Sequence, residues 1–166
     1  MYSTIILATA KSVGVPGALL LAICTHESNL VNIMVPNDGG DASYGICQIK
    51  EDTAREMGYR GISSGPLKLT DNPVFTGDME PDGPPAGLMI PKVNARYAAK
   101  YLKKWLNKYD GDWCKAVAAY NWGSYSPSKK YPGKPKNFKY VKKVILHLDE
   151  KNKDFLVCGP RKVENE

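Results

Sequence analysis

The sequence lacks any long hydrophobic run. No stretch of about 18 consecutive apolar residues occurs in it, which argues against a membrane-spanning helix. The longest apolar segment, residues 18–24, is short and soon reaches the charged Glu27, and no small-residue cleavage site follows it. We therefore interpret it as a core helix rather than a signal peptide, and we expect a protein without a cleavable signal.

Histidine and cysteine are scarce and poorly spaced for a metal site. The two histidines, His26 and His147, are far apart, and the four cysteines form no Cys-x-x-Cys pair. We expect neither a bound metal nor any other cofactor. Cys24, Cys47 and Cys114 lie in apolar segments, which favours free buried thiols, with disulfide bonds as the alternative.

Acidic residues are scarce in the second half of the chain. Residues 1–91 contain 5 Lys and Arg against 10 Asp and Glu, whereas residues 92–166 contain 18 against 7. Such a basic half can face nucleic acid, an anionic membrane or an anionic polymer such as peptidoglycan. No zinc-finger or RNA-binding pattern accompanies the charge, so we expect no nucleic-acid partner. For most of these lysines a solvated surface is the default interpretation.

Strand patterns are also few, so we predict a mainly α fold with one domain over residues 1–150, expected to be a monomer, and a charged tail at 151–166. The segment from Pro16 to about Ser28 is apolar on nearly all sides and should form a central helix. Residues 58–91 are rich in Gly, Pro and Asp without periodicity, which predicts a long irregular loop. Further helices are predicted at 3–13, 51–57, 92–109, 113–122 and 138–148.

A glutamate close after the apolar segment is the candidate catalytic residue. On an apolar helix face, loss of water disfavours the charged form of Glu27 and raises its pKa, which suits a general acid near neutral pH. One such carboxyl, with amide and phenol groups nearby, suits cleavage of a glycosidic bond. Two polar motifs follow it in the chain, Gly45-Ile46-Cys47-Gln48 and Ala119-Tyr120-Asn121-Trp122-Gly123.

Together with Glu27-Ser28, Asn94, Tyr101-Leu102 and Tyr140-Val141-x-x-Val144, these motifs resemble, in the same order, those of lysozyme-like lytic transglycosylases of the soluble lytic transglycosylase (SLT) type. The resemblance implies a lysozyme-like fold and cleavage of peptidoglycan between N-acetylmuramic acid and N-acetylglucosamine. The glutamate would act first as acid and then as base toward the sugar's own 6-hydroxyl, which leaves a 1,6-anhydro product. The residues expected to contact substrate or acid are Ser28, Tyr44, Gly45, Gln48, Tyr120, Asn121 and Tyr140.

Two positions depart from the family pattern, Ala98 in place of a glycine and Cys47 before the glutamine. A goose-type lysozyme, which hydrolyses the same bond with water, is the first alternative and needs a second carboxylate about 6.5–9.5 Å from the acid. Asp38 and Asp41 are the candidates for it, although Lys50 stands where the goose-type pattern has aspartate. A non-catalytic cell-wall-binding module is the second alternative.

The small size and the missing signal favour a phage endolysin or a virion-associated enzyme that acts on the cell wall in the periplasm. An accessory enzyme of conjugation or of type III or type IV secretion is the alternative setting, although such enzymes usually carry a signal sequence.

Overall fold

The computed structural model describes residues 2–61 and 87–158. It confirms a mainly helical fold, and no helix in these ranges is long and apolar enough to cross a membrane. Most of the predicted irregular loop (62–86) and the end of the predicted tail (159–166) lie outside the described residues. The elements are α1 (Tyr2–Val13), α2 (Gly17–Ser28), β1 (Met34–Asp38), β2 (Asp41–Tyr44), β3 (Ile49–Lys50), α3 (Glu51–Glu56), α4 (Pro91–Lys108), α5 (Trp113–Trp122), α6 (Phe138–Ile145) and α7 (Glu150–Lys153), with 3-10 turns at Gly87–Met89 and Asp154–Leu156.

Helix α2 lies in the middle of the core, as its apolar composition predicts. Leu19 and Ile23 are fully buried, and α1, α4 and α6 all pack against the helix. It ends at Asn29, whose left-handed backbone (φ 52°) lets its N–H donate to the carbonyl of Thr25 at 2.8 Å. The chain therefore turns away sharply just after Glu27.

Helix α4 supplies much of the remaining core through one apolar stripe of side chains. Pro91 occupies the first turn, where its missing N–H is not needed. Burial of each large apolar side chain here contributes about 1.5–3 kcal/mol. Lysines cover the outer edge of the stripe, and Lys104 Nζ lies 4.4 Å from the centre of the Trp105 ring. The buried members of the stripe are Val93, Tyr97, Ala98, Tyr101, Leu102, Trp105 and Leu106.

A small antiparallel sheet follows α2, in the order β1-β2-β3, and was not predicted. Residues 36–41 contain Pro, Asn, Asp and Gly, which are depleted in strands, so the sequence indicates a loop there. In the structure they form the end of β1 and a hairpin turn at Gly39-Gly40, both with positive φ. Strand β2 then leads the chain through Tyr44 into the Gly45–Gln48 turn beside α2.

All four cysteines form disulfide bonds, so the prediction of free thiols was wrong. Cys24 in α2 is bonded to Cys47, and Cys114 in α5 is bonded to Cys158. Apolar surroundings do not distinguish a buried thiol from a buried disulfide. The pairing depends on which segments the fold brings together across 23 and 44 residues of chain. Disulfides of this kind are typical of proteins in oxidising compartments.

The second disulfide holds the end of the described chain against α5. Residues 150–158 form α7 and the last 3-10 turn, and Leu156 is buried. The ring of Phe155 lies 5.2 Å from that of Trp113. Up to Cys158, the segment predicted as a charged tail is thus packed on the domain.

Candidate active site

Glu27 lies in the last turn of α2, half-buried and facing α6. Loss of water on burial has the largest effect on its carboxyl group and raises its pKa from 4.5 to about 7. A hydrogen bond from Tyr140 lowers the pKa, and the negative charge of Asp38 raises it. Near neutral pH a substantial share of the molecules therefore carries the proton that a general acid donates. This agrees with the raised pKa expected from the sequence.

Tyr140 of α6 holds the carboxyl group in place. Its hydroxyl donates a hydrogen bond to Glu27 Oε1. Burial raises the pKa of Tyr140 well above its ordinary value, and the neighbouring carboxylate raises it further, so the phenol keeps its proton and remains a donor. No described residue bonds to Oε2, which leaves that oxygen available for proton transfer.

His26 packs against the ring of Tyr140. The sequence alone did not indicate this contact. The two rings meet edge to face, 5.0 Å apart, and the ring of His147 lies 5.9 Å from that of His26. Burial, then the positive charges of His147 and Lys143, lower the pKa of His26. The imidazole therefore stays mainly neutral near neutral pH and adds little positive charge beside Glu27.

The Gly45–Gln48 turn is fastened to the end of α2 at two points. One is the Cys24–Cys47 disulfide. The other is Ser28, whose hydroxyl donates a hydrogen bond to the carbonyl oxygen of Ile46 at 2.7 Å. We expected Ser28 to contact the acid or the substrate. In the structure its hydroxyl donates to the backbone of the turn, and a contact with substrate stays a prediction.

Asn94 of α4 closes the same turn from another side. Its side chain is buried; Oδ1 accepts from the N–H of Cys47 at 2.8 Å, and Nδ2 donates to the carbonyls of Tyr44 (2.6 Å) and Leu88 (2.9 Å). Gly45 has φ 74°, and a Cβ there would lie 2.4 Å from Asn94 Nδ2. The sequence suggested that a sugar approaches Gly45, whereas the contact that excludes a side chain here is Asn94.

Gln48 is engaged with the protein through both ends of its amide. Nε2 donates to the carbonyls of Gly45 (2.7 Å) and Ile33 (3.0 Å), and Oε1 accepts from the hydroxyl of Ser43 at 2.7 Å. Both amide hydrogens are used, so the donor that we expected to face substrate or Glu27 stabilises the turn instead.

Tyr120 and Asn121 take different positions at the end of α5. Tyr120 is buried, and its hydroxyl donates to the carbonyl of Cys47 at 3.4 Å. Burial, and then the charge of Glu27, raise the pKa of Tyr120 well above its ordinary value. Asn121 is exposed, and its Oδ1 accepts from Asn137 Nδ2 at 3.0 Å. Tyr120 is thus within electrostatic range of the acid, whereas Asn121 faces solvent.

Comparisons with known proteins identify the family and support the fold. A sequence model of the Transglycosylase SLT domain matches residues 4–141. The chain belongs to this family. Its fold is similar to the X-ray structure of an inactive glutamate-to-glutamine mutant of the lytic transglycosylase Slt from Pseudomonas aeruginosa, with a TM-score of 0.51 and 19% identity. That match covers 93% of this chain but 22% of the Slt chain. No curated protein matches the sequence significantly.

The two candidate second carboxylates of this SLT domain differ in their relation to the acid. Asp38, at the exposed end of β1, raises the pKa of Glu27 through its negative charge. Asp41 and Tyr44 line a cavity of about 270 Å³ between β2 and α3, and Glu27 is not among the residues around it. Asp38 is therefore the better placed of the two, and Tyr44 lies on the sheet side of the site.

The SLT domain thus presents a carboxyl group with a pKa near neutrality, a phenol donor bonded to it, and a turn clamped to the same helix. A group of this kind can give a proton to a leaving oxygen and then take one back. Among residues 2–61 and 87–158, no group of three or more His, Cys, Asp or Glu side chains is arranged to bind a metal ion.

Proposed function

We propose that this SLT domain is a peptidoglycan lytic transglycosylase that cleaves the β-1,4 bond between N-acetylmuramic acid and N-acetylglucosamine and leaves 1,6-anhydro ends. The proposal rests on the environment of Glu27. Burial raises its pKa to about 7, and its carboxyl group accepts a hydrogen bond from Tyr140. Membership of the SLT family supports it. So does the inactive Slt mutant, in which a glutamate is replaced by glutamine.

The reaction needs one protein carboxyl group, used twice. Glu27 donates its proton to the glycosidic oxygen as the bond from that oxygen to C1 of the muramic acid breaks. The carboxylate then accepts the proton of the 6-hydroxyl on the same sugar, while that oxygen attacks C1. The ring closes as a 1,6-anhydro sugar, Glu27 regains its proton, and no water is consumed. Because the nucleophile belongs to the substrate, its effective concentration is high.

Tyr140 has a role in both steps. Its hydrogen bond to Oε1 becomes stronger when Glu27 is ionised, because the acceptor then carries a charge. The bond therefore stabilises the carboxylate between the two proton transfers. It also restricts rotation of the carboxyl group, so that Oε2 keeps one direction.

Hydrolysis by water is the second candidate, and Asp38 is the observation that favours it. Its negative charge raises the pKa of Glu27, so the two carboxyl groups are close enough to interact. An inverting hydrolase would use this carboxylate to activate water on the face of the sugar opposite the acid. The product would then carry a reducing end and be heavier by one water.

Mass spectrometry of soluble muropeptides from purified sacculi tests both candidates. We expect anhydro products from the wild type and from Asp38→Asn, and none from Glu27→Gln. Glu150→Gln, an exposed glutamate on α7, is the matched control and should behave as wild type.

Products heavier by one water, lost in Asp38→Asn, would replace the transglycosylase by a hydrolase. No release from the folded wild type would overturn the catalytic proposal and support a wall-binding module.

A further inference from the structure

The α6 side of the site continues into a surface that carries many lysines and no acidic residue. Residues 113–148 contain eight lysines and no aspartate or glutamate. Six of these lysines are exposed on α6 and on the connection that precedes it. We call them the lysine surface: Lys129, Lys130, Lys136, Lys139, Lys142 and Lys143.

The charges of the lysine surface are not balanced by the protein. The described part of the chain contains five ion pairs, and none of them involves a residue of this surface. All five of these pairs lie outside the lysine surface. These pairs are Arg55–Glu51, Lys104–Glu56, Lys115–Asp112, Lys151–Asp149 and Lys153–Glu150.

The surface is also displayed on an ordered backbone. Between α5 and α6 the chain folds back on itself, with a bridge between Pro127 and Pro135. The N–H of Ser128 donates to the carbonyl of Lys134 at 2.7 Å, and that of Lys136 to the carbonyl of Ser126 at 2.8 Å. This hairpin therefore holds like charges close together, an arrangement that is unfavourable without an anionic partner.

Helix α6 connects the hairpin to the acid. Val141 and Val144 are fully buried on its inner face, and Lys139, Lys142 and Lys143 are exposed on the outer one. Tyr140, between these faces, reaches Glu27. A polymer with one sugar at Glu27 is therefore bound beside α6, the helix that carries three residues of the lysine surface.

We propose that the lysine surface binds the carboxylate groups of the peptide stems on the glycan strand that occupies the site. This rests on the proposed function, because the strand is the polyanion whose position is tied to Glu27. Lysine suits this partner, since a flexible side chain with a point charge can follow carboxylates on a flexible peptide. The exposed Trp122 and Tyr131, 58% and 51% accessible, add apolar contact area at the same side.

Sedimentation binding to sacculi tests the proposal, with all variants in the inactive Glu27→Gln background so that the polymer stays intact. One variant carries Lys129→Gln, Lys130→Gln and Lys136→Gln. The matched control loses the same charge at exposed positions outside the surface, through Lys11→Gln, Lys108→Gln and Lys151→Gln. Each protein is measured on native sacculi and on sacculi whose carboxyl groups have been amidated.

We expect the hairpin variant to bind native sacculi about tenfold more weakly than the parent, the sum of three modest ion pairs. The control should stay within about twofold, and on amidated sacculi all three proteins should bind alike. The difference should shrink as salt concentration rises. If the hairpin variant misfolds, a second variant on α6 replaces it, with Lys139→Gln, Lys142→Gln and Lys143→Gln. It should show a similar loss of binding to native sacculi.

Equal losses in variant and control, no loss, or the same loss on amidated sacculi would each overturn the proposal. A loss seen only with DNA or anionic vesicles would assign the surface to another polyanion and overturn it as well. Product analysis of the active protein is independent of these measurements, so failure of the transglycosylase proposal would be recognised separately.

Discussion

Two walls meet at Glu27, and they are attached to it in different ways. The turn wall, residues 45–48, is joined to α2 by the Cys24–Cys47 disulfide and held by the buried Asn94. The α6 wall contacts the acid through Tyr140 and packs on the core through two valines. The first wall fixes the end of the helix that carries Glu27, and the second holds the carboxyl group itself and governs its protonation and the charge around it. Changes in the two walls should therefore have different signatures.

Removal of the disulfides should have the largest effect on the free energy of unfolding. It should also distinguish the positioning of Glu27 from the overall stability of the protein. The pair Cys24→Ala with Cys47→Ala should lower the free energy of unfolding by about 3–4 kcal/mol, and so should Cys114→Ala with Cys158→Ala. Urea unfolding measures both. Only the first pair should lower kcat under conditions where both proteins are folded, because only that bond joins the turn wall to the helix of Glu27. Equal losses of kcat would show that the turn wall has no special role.

Tyr140→Phe examines the α6 wall. We expect kcat to fall about tenfold, the value of one charge-assisted hydrogen bond, with little change in stability. The hydrogen bond lowers the pKa of Glu27, so its removal should move the basic limb of the kcat/KM profile to higher pH. Tyr120→Phe is the contrasting variant, since its hydroxyl bonds the carbonyl of Cys47. A shift of that limb in Tyr120→Phe but not in Tyr140→Phe would reverse the assignment.

The smallest effect is the pH dependence of stability in Glu27→Gln. The folded pKa of Glu27 lies above its unfolded value, so the wild type loses stability as pH rises from about 4.5 to about 7, whereas glutamine does not titrate. In a fully buried group this shift would correspond to about 3 kcal/mol at pH 8. Because Glu27 is only half-buried, screening by water reduces the expected difference to roughly 1 kcal/mol, so the variant should melt about 2–4 °C above wild type. At pH 4 the difference should vanish. A difference that stays constant at all pH values would contradict the raised pKa of Glu27.

The sequence was sufficient for features that depend on local periodicity and chemistry. The stripe of α4 and the apolar α2 follow from spacing alone, and the buried residues agree with both. The raised pKa of Glu27 follows from its attachment to an apolar helix. The link between Glu27 and Tyr140 depended on the family resemblance, because 113 residues separate the two.

Other features depend on contacts between distant segments and left no local signal. This group includes the disulfide partners and the packing of His26 on Tyr140. It also includes the three hydrogen bonds between the side chain of Asn94 and the backbone of other residues. Gln48 shows the same limit in another form. Its amide group predicts a donor and an acceptor, but only the fold shows that both are used by the turn.

Gly45 and Asn94 lie on different elements but share one volume, since a Cβ on the first would meet the side chain of the second at 2.4 Å. In evolutionary terms the two positions restrict each other. Shortening residue 94 would not free space for a larger residue 45, because the new Cβ would still lie 2.7 Å from the carbonyl oxygen of Leu88, and it would lose the bonds that shape the turn. Among related sequences we therefore expect neither position to change.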